Sequence, residues 1–551
     1  QYIKLNNKTN IPLFGITPIH SIFKIDKYGG NLPAPKNEIE INVCQNEWET
    51  TQIILVPFVD SIVDVEIKIN KNKYLLYNNI ECFSGEYAFC NNSNYYVDKT
   101  GWFADPLFPM ELDTSAENYI RFKMPELLPT LKYGEVKSLW LNYFIPANIR
   151  PGKYDLQIEV IAKTNNINDT AKVSIKLNVF DFTLPSTMHL KTAFSFDKKY
   201  FLNYYNVAQI SKEIDKKHYS FYLKYHLNPV ALYTSIDYTY PPIEDWQWCV
   251  NHGANFFNLT YLDHEIDTIL LDNFIIKLKN KIKYLKKYNL LKYAYIYGFD
   301  EVKPANYNSL KKMVNIIRTV DNKIPFMSTV KPNEELKNYI DIWVVLTSDF
   351  SENTKIYYDN QELWWYICCI PYQPYPNFFI EYPAIAPRII FWQASKYNID
   401  GFLYYLINSW VYNQNTEKLT KQINPFAEEI KKGNKWPSVP WCGHSFRWNE
   451  GQRFYNGDGQ LVYPGHDTLL YPSIRLINIR DGIEDYECFY QLKLLVKKYR
   501  KEGKINFAST IEKFLNYAYM IVPSNKNYLN DPDRLLQIKK ETLELLEKLN
   551  Q

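Results

Sequence analysis

The chain has 551 residues, 46% of them hydrophobic and 22% charged, enough to bury more than one core. Its 63 Lys+Arg nearly balance 60 Asp+Glu, a net charge of +3 with no block of one sign, which argues against nucleic acid or an anionic membrane as the main partner. No uninterrupted apolar run reaches the roughly 18 residues of a membrane span, and the eight cysteines lack the CxxC spacing of a metal site.

Residues 1–185 read as β structure, with alternating or β-branched runs at 38–43, 52–57, 63–69, 138–144, 152–160 and 171–179. Short strands at regular spacing, without a long amphipathic helix, predict a β-sandwich domain over 1–185. Cys82 and Cys90 are read as flanking a loop that a disulfide could close, and Cys368 and Cys369 as packing residues in an apolar strand. After Pro185 the rhythm becomes strand, helix, strand, helix. Strands are predicted at 192–196, 230–234, 255–260, 294–299, 325–330, 341–346, 363–370 and 401–408. Helices are predicted at 210–225, 267–288, 307–320, 333–339 and 384–397, with a closing helix from near Asp481, read as its cap. Eight such units in about 300 residues predict a (β/α)8 TIM barrel over 186–423 plus 473–500. Residues 424–472 read as a Trp/Gly-rich β insertion whose Asn456-Gly-Asp-Gly459 is a hairpin turn, and 501–551 as a C-terminal helical extension.

The chemistry-bearing stretch is Tyr295-Ile-Tyr-Gly-Phe-Asp-Glu-Val-Lys-Pro304, an apolar run ending in two adjacent carboxylates, Asp300 and Glu301. Alone, such a doublet also suits a helix N-terminus or a surface ion pair. At the carboxyl end of the fourth barrel strand it occupies the place where parallel α/β folds put their active sites. The other strand ends offer Asp197, Asn258, Thr347 to Asp349, Tyr372 and Asn408 to Trp410, with the aromatics Trp343, Trp364, Trp365, Tyr366 and Tyr405 nearby. Carboxylates among aromatic rings suit glycoside hydrolysis: one acid protonates the leaving oxygen and a second group stabilises positive charge at the anomeric carbon. There is no Walker loop, no GxGxxG and no HExxH; Asp263-His-Glu265 reads as a polar loop rather than a metal cluster.

Several segments together resemble glycoside hydrolase family 123 and its uncharacterised relatives: Tyr297-Gly-Phe-Asp-Glu-Val-Lys-Pro304, Trp364-Trp-Tyr-Ile-Cys-Cys369 with Pro374-Tyr-Pro-Asn377, Asp400-Gly-Phe-Leu-Tyr-Tyr-Leu-Ile-Asn-Ser-Trp410, Asn456-Gly-Asp-Gly-Gln-Leu-Val-Tyr-Pro-Gly465, and Arg475 with Arg480-Asp-Gly-Ile-Glu-Asp-Tyr-Glu487. The resemblance implies a retaining β-N-acetylgalactosaminidase working by substrate-assisted catalysis. Glu301 would be the general acid/base, and Asp300 would orient the substrate's 2-acetamido group. Arg480 to Glu487 and the Asn-Gly-Asp-Gly turn are read as structural. Neighbouring residues of a regular strand point to opposite faces, so both acids can serve one sugar only if the backbone breaks strand geometry near Asp300.

The sequence thus predicts an exo-glycosidase for terminal β-linked N-acetylhexosamine, galactosamine favoured, with Asp197, Trp343, Tyr372, Tyr405, Asn408 and Trp410 as the sugar-binding wall. The partner is a glycan or glycoconjugate; no metal or organic cofactor is implied, and the oligomeric state stays open. A start at Gln1 and glycosylation sequons at Asn7, Asn91, Asn168 and Asn258 point to a secreted, cell-surface or lumenal protein. Two alternatives remain: a glycosidase for a sugar without an acetamido group, and a catalytically silent carbohydrate-binding or structural surface glycoprotein on the same fold.

Overall fold

The chain's structure, a computed structural model, describes residues 12–71, 79–90, 99–126, 128, 130–165, 167–264, 271–352, 361–410, 443–448, 451–465 and 468–550, with the backbone alone at 443–448 and 451–454. In the N-terminal part, an antiparallel sheet runs in the order Phe14–His20, Glu47–Pro57, Lys137–Ile145, Ile80–Cys90, Gly101–Pro109. A second, six-stranded sheet runs Glu38–Gln45, Asn168–Thr183, Gly152–Lys163, Asp64–Asn70, Tyr119–Lys123, Glu111–Asp113, with only its first pair parallel. Alternate residues such as Ile39, Ile41 and Val43, or Leu156, Ile158 and Val160, are buried and join Ile53, Leu55, Leu139 and Leu141 in one core. That alternation is what a sheet with one covered face requires.

Ile80–Cys90 is one strand, not two arms of a loop. Cys82 and Cys90 stand eight residues apart on it, roughly 26 Å at ~3.3 Å per residue. A disulfide needs α-carbons within about 7 Å, so this pair cannot close.

The second part is organised around a curled, all-parallel sheet of seven strands: Lys191–Phe194, Gly401–Tyr404, Glu362–Ile367, Ile342–Leu346, Phe326–Thr329, Ala294–Gly298 and Phe257–Leu262, in that spatial order. The expected strand at 230–234 is irregular. It makes one parallel bridge, Ser195 with Val230. It accepts the Phe196 N–H on one side and, through Thr234 O, the Tyr261 N–H on the other. The eight-strand barrel expected from the sequence is therefore a seven-stranded curled sheet with this segment along its open side.

The strands are apolar on both faces because both are covered. Tyr295, Tyr297, Ile342, Val344, Trp364 and Leu403 form an inner cluster. The outer face packs on helices Lys212–Lys224, Leu271–Lys287, Tyr307–Val320 and Ile385–Lys396, which match predicted segments. Residues 334–339, expected as a helix, are turns.

The long helix starts at Ile474, not near Asp481, and Ser473 caps it by accepting the Leu476 N–H at 3.1 Å. Asp481 is buried inside the helix, 2.7 Å from Arg480. Arg388 grips Asp485 through two nitrogens at 2.6 and 2.9 Å. Arg475 holds Asp105 of the N-terminal sheet at 2.9 and 2.8 Å. Lys539, on the last helix Pro532–Asn550, meets Glu47 at 2.6 Å and Glu49 at 2.5 Å. The Arg480–Glu487 motif thus belongs to a buried ion network that joins the N-terminal sheets to the parallel-sheet part.

Among the sequons, Asn258 is fully buried and donates its side-chain amide to Leu232 O at 2.8 Å, so it cannot carry a glycan. Asn168 is exposed at the start of its strand. Asn7 and Asn91 lie outside the described residues. Among the described residues no helix is long and apolar enough to cross a membrane.

Candidate active site

Ala294–Gly298 delivers the two acids to the carboxyl end of the sheet. A side chain at Gly298 would strike Leu262 of the neighbouring strand at 2.7 Å, so the strands approach closely there. Immediately beyond, strand geometry ends: Phe299 has φ +52° and Glu301 φ +49°. Left-handed backbone at a non-glycine residue costs about 1–3 kcal/mol and persists only where surroundings enforce it. Here they do. The Phe299 N–H donates to Leu262 O at 2.8 Å, and Ser328 Oγ donates to Phe299 O at 2.9 Å. His264 Nε2 donates to Asp300 O at 2.8 Å, and the Glu301 N–H donates to Thr329 Oγ1 at 2.6 Å. The alternation that would have sent the acids to opposite faces is broken on both sides of Asp300.

Asp300 and Glu301 end in different surroundings. Asp300 is half-buried and receives three hydroxyls: Tyr297 at 2.6 Å and Thr329 on Oδ1, and Tyr233 at 3.0 Å on Oδ2. That suits an acceptor-only carboxylate. Burial, and then the charges of Asp300 and neighbouring phenols, push the Tyr233 and Tyr297 hydroxyls well above their usual range, so they stay donors. Tyr261, pushed up to about 12 by burial and then by Asp300, completes this phenolic side. Glu301 is exposed and accepts one hydroxyl, from Tyr366 at 3.0 Å. Burial, and then Glu301, raise Tyr366 as well.

Glu301, Thr329 and Tyr366 line a cavity of about 390 Å³ with Val344, Leu346 and Ile370, within the roughly 300–1,000 Å³ of small-molecule sites. Asp300 is not in its wall; the Thr329 hydroxyl links its carboxylate to the Glu301 main-chain N–H. Lys331 and Asp349 lie on the same wall, paired at 3.1 Å. Among the described residues no group of three His, Cys, Asp or Glu is disposed to hold a metal.

The structure corrects much of the expected sugar wall. Trp343 is fully buried on the helix-facing side of its strand, its indole N–H on Gln361 Oε1 at 2.7 Å. Asn408 is fully buried and pins Asp197, accepting its N–H and donating to its carbonyl, each at 2.9 Å. Trp410 is buried against Phe201, Tyr204 and Tyr205 and donates to Val462 O at 2.9 Å. These three hold the fold. Asp197 caps helix Lys198–Tyr205 by accepting the Lys199 N–H at 2.8 Å. Tyr405 is half-buried and donates to Asp458 at 2.9 Å, while Tyr372 stacks on Tyr455 with centroids 6.3 Å apart. Neither is among the described residues lining the Glu301 cavity.

Sequence reasoning missed Tyr233 and Thr329, read His264 only as part of a polar loop, and noted Tyr366 only as one aromatic among several. Their signal was present as hydroxyls and a histidine at or just past predicted strand ends, though nothing in the spacing tied them to Asp300.

A sequence profile described as Glycoside hydrolase 123, catalytic domain, matches residues 228–492. A search of curated proteins gave no match. Among solved structures the chain is similar to one described in work on glycolipid glycan hydrolysis by a family 123 glycoside hydrolase from Clostridium perfringens, at 15% identity and TM-score 0.64, covering 98% of each chain. Two further similarities are partial and carry no weight. AvmM, which catalyses macrocyclization in alchivemycin A biosynthesis, matches at 10% identity and TM-score 0.18, over 32% of this chain and 93% of that one. The collagen-binding subdomain of the Enterococcus faecalis surface protein ACE matches at 9% and 0.15, over 31% and 99%.

Proposed function

From the premise that residues 228–492 are a glycoside hydrolase family 123 catalytic domain, we propose a retaining exo-glycosidase that removes a terminal β-linked N-acetylhexosamine, galactosamine favoured, by substrate-assisted catalysis. The observation that carries this reading is the acid doublet itself: adjacent carboxylates in unlike surroundings, with one threonine hydroxyl joining the Asp300 carboxylate to the Glu301 main-chain N–H.

In this reading Glu301, exposed in the cavity, gives its proton to the departing glycosidic oxygen. Asp300, held by hydroxyl donors, takes the substrate's acetamido N–H. The acetamido oxygen then attacks the anomeric carbon as the glycosidic bond breaks, forming an oxazolinium ion. Glu301, now a base, takes a proton from water, which opens the ring from the face the aglycone left. Two inversions give retention without an enzyme nucleophile. Lys331 and Asp349 offer polar groups to sugar hydroxyls. The similarity to the clostridial enzyme suggests a glycolipid glycan as the source of the terminal sugar. Exposure of Asn168 is compatible with a secretory route.

The test compares a chromogenic N-acetyl-β-galactosaminide with the corresponding plain galactoside and follows the product anomer by NMR. Hydrolysis of the acetamido sugar with retention, inhibited by a thiazoline mimic of the oxazoline, is expected. Cleavage of only the plain sugar, or inversion, overturns the proposal.

A further inference from the structure

Cys368 and Cys369 lie just past Glu362–Ile367, in a turn rather than within the strand where packing was expected. Their Sγ atoms are 3.9 Å apart. Both are half-buried, whereas every other described cysteine is buried. The turn is held firmly: the Cys368 N–H donates to Ile370 O at 2.8 Å, and Asn377 Nδ2 donates to Cys368 O and Pro371 O, each at 3.0 Å.

This turn adjoins the candidate active site, and neither cysteine is among the described residues lining the cavity. Two residues before Cys368, Tyr366 donates to Glu301; one residue after Cys369, Ile370 lines the cavity. On its other side Cys369 packs with Tyr372 against Phe379, Tyr382 and Tyr455. A change in the geometry of the pair therefore reaches the cavity wall within one residue.

We propose that Cys368 and Cys369 form a reversible thiol–disulfide site, whose closure into a disulfide between sequence neighbours reshapes the cavity wall and slows turnover. The closure itself is independent of the proposed activity; only its effect on rate rests on that reading.

The fitting oxidant is a small disulfide such as glutathione disulfide. One cysteine thiolate attacks a sulfur of the oxidant, whose S–S bond breaks, and one glutathione leaves as its thiol. The second cysteine, deprotonated, attacks the first cysteine's Sγ; the mixed disulfide breaks and the second glutathione leaves. Two protein thiols are oxidised and one disulfide is reduced to two thiols. Hydrogen bonding to Cys369 and then burial push the Cys368 thiol well above its usual range. Adjacent α-carbons sit about 3.8 Å apart across a trans peptide, closer than the roughly 4.4–6.8 Å of ordinary disulfides. Ring closure therefore twists the 368–369 peptide and moves the turn, and the strained bond reopens readily.

The test treats the full chain with glutathione disulfide and maps cysteines by mass spectrometry. The peptide carrying both residues should lose two hydrogens, carry no glutathione and resist alkylation until dithiothreitol is added. Hydrolysis should fall several-fold and recover on reduction. Cys368→Ser and Cys369→Ser should each keep the reduced-state rate and lose the response. Phenylarsine oxide, which bridges two neighbouring thiols, gives a readout independent of activity: one equivalent should bind at this peptide and none in either variant. A stable glutathione adduct on one cysteine, or failure to bind the arsenical, refutes the site. A ring that forms without a change in rate refutes the regulation while leaving the proposed hydrolysis intact.

Discussion

Replacing Thr329 with valine tests the construction of the acid doublet. Valine keeps the volume, so no cavity opens, but removes the hydroxyl that accepts the Glu301 N–H at 2.6 Å and donates to Asp300 Oδ1. A hydrogen bond to a charged group contributes about 1.5–3 kcal/mol, and a buried donor left without a partner costs about 1–3 kcal/mol. Tyr297 and Tyr233 still hold Asp300, at 2.6 and 3.0 Å, so the carboxylate stays in place but turns more freely. Glu301 loses the contact that enforces its left-handed backbone. Overall stability should fall by about 1–3 kcal/mol. If about 1.4–2.7 kcal/mol of the loss is felt in the transition state, kcat falls roughly 10- to 100-fold, with a small change in KM. Thr329→Ser keeps the hydroxyl and should recover most of the rate. Initial rates on the N-acetyl-β-galactosaminide, measured well below each variant's melting temperature, decide the matter. A valine variant with parental kcat, or a serine variant as slow as valine, refutes the argument.

Three other outcomes follow from the same structure. Glu301→Gln should abolish hydrolysis of substrates whose leaving group needs a proton; with acidic phenols it should spare the first, phenol-releasing step while the second step, which needs Glu301 as base, stays slow, a contrast read from pre-steady-state phenol release across a leaving-group series. Lys539→Met leaves Glu47 and Glu49 buried without the ammonium now 2.6 and 2.5 Å away; the urea midpoint should drop by the equivalent of about 3–5 kcal/mol. Glu484 is buried, and its carboxyl is raised from 4.5 to about 8, chiefly by burial. Between those values the folded chain holds a proton that the unfolded chain has lost, so this group's contribution to stability falls as pH rises through the window. Glu484→Gln should therefore show a shallower decline in melting temperature than the parent between pH 5 and 8, and an unchanged slope counts against the assignment.

The sequence made the strand-and-helix order of the parallel sheet readable because its strands are apolar runs ending in polar residues. The same property concealed which side chains face inward. In Ile342–Leu346 the inner cluster takes Ile342 and Val344 while Trp343 turns to the helices, and in Glu362–Ile367 it takes Trp364 while Trp365 turns out. Alternation guarantees such a split, but a run that is apolar on both faces gives no phase, so Trp343 was placed on the wrong side. Polar residues misled in the opposite way. Asn408 at a strand end looks like a ligand-binding group, and Asp481 looks like a cap; both are buried and fully engaged in holding neighbouring segments. A buried polar group must find partners somewhere, and the sequence does not say whether they are protein or substrate.

The acid doublet shows what sequence can and cannot specify. It imposed a requirement, a break in alternation between residues 299 and 301, and the left-handed angles of Phe299 and Glu301 meet it. It could not name the residues that enforce the break, because they come from other strands. Ser328 and Thr329 end the strand that follows, and His264 lies beyond the one before. Only folding brings these three polar contacts onto the carbonyls of residues 299 and 300 and the amide of residue 301. Strain of about 1–3 kcal/mol at each of two non-glycine positions is offset by those contacts. The same threonine that satisfies the Glu301 amide also donates to the Asp300 carboxylate. Backbone distortion and the relation between the two acids are thus one feature, and a substitution that relieves the strain should separate the acids as well.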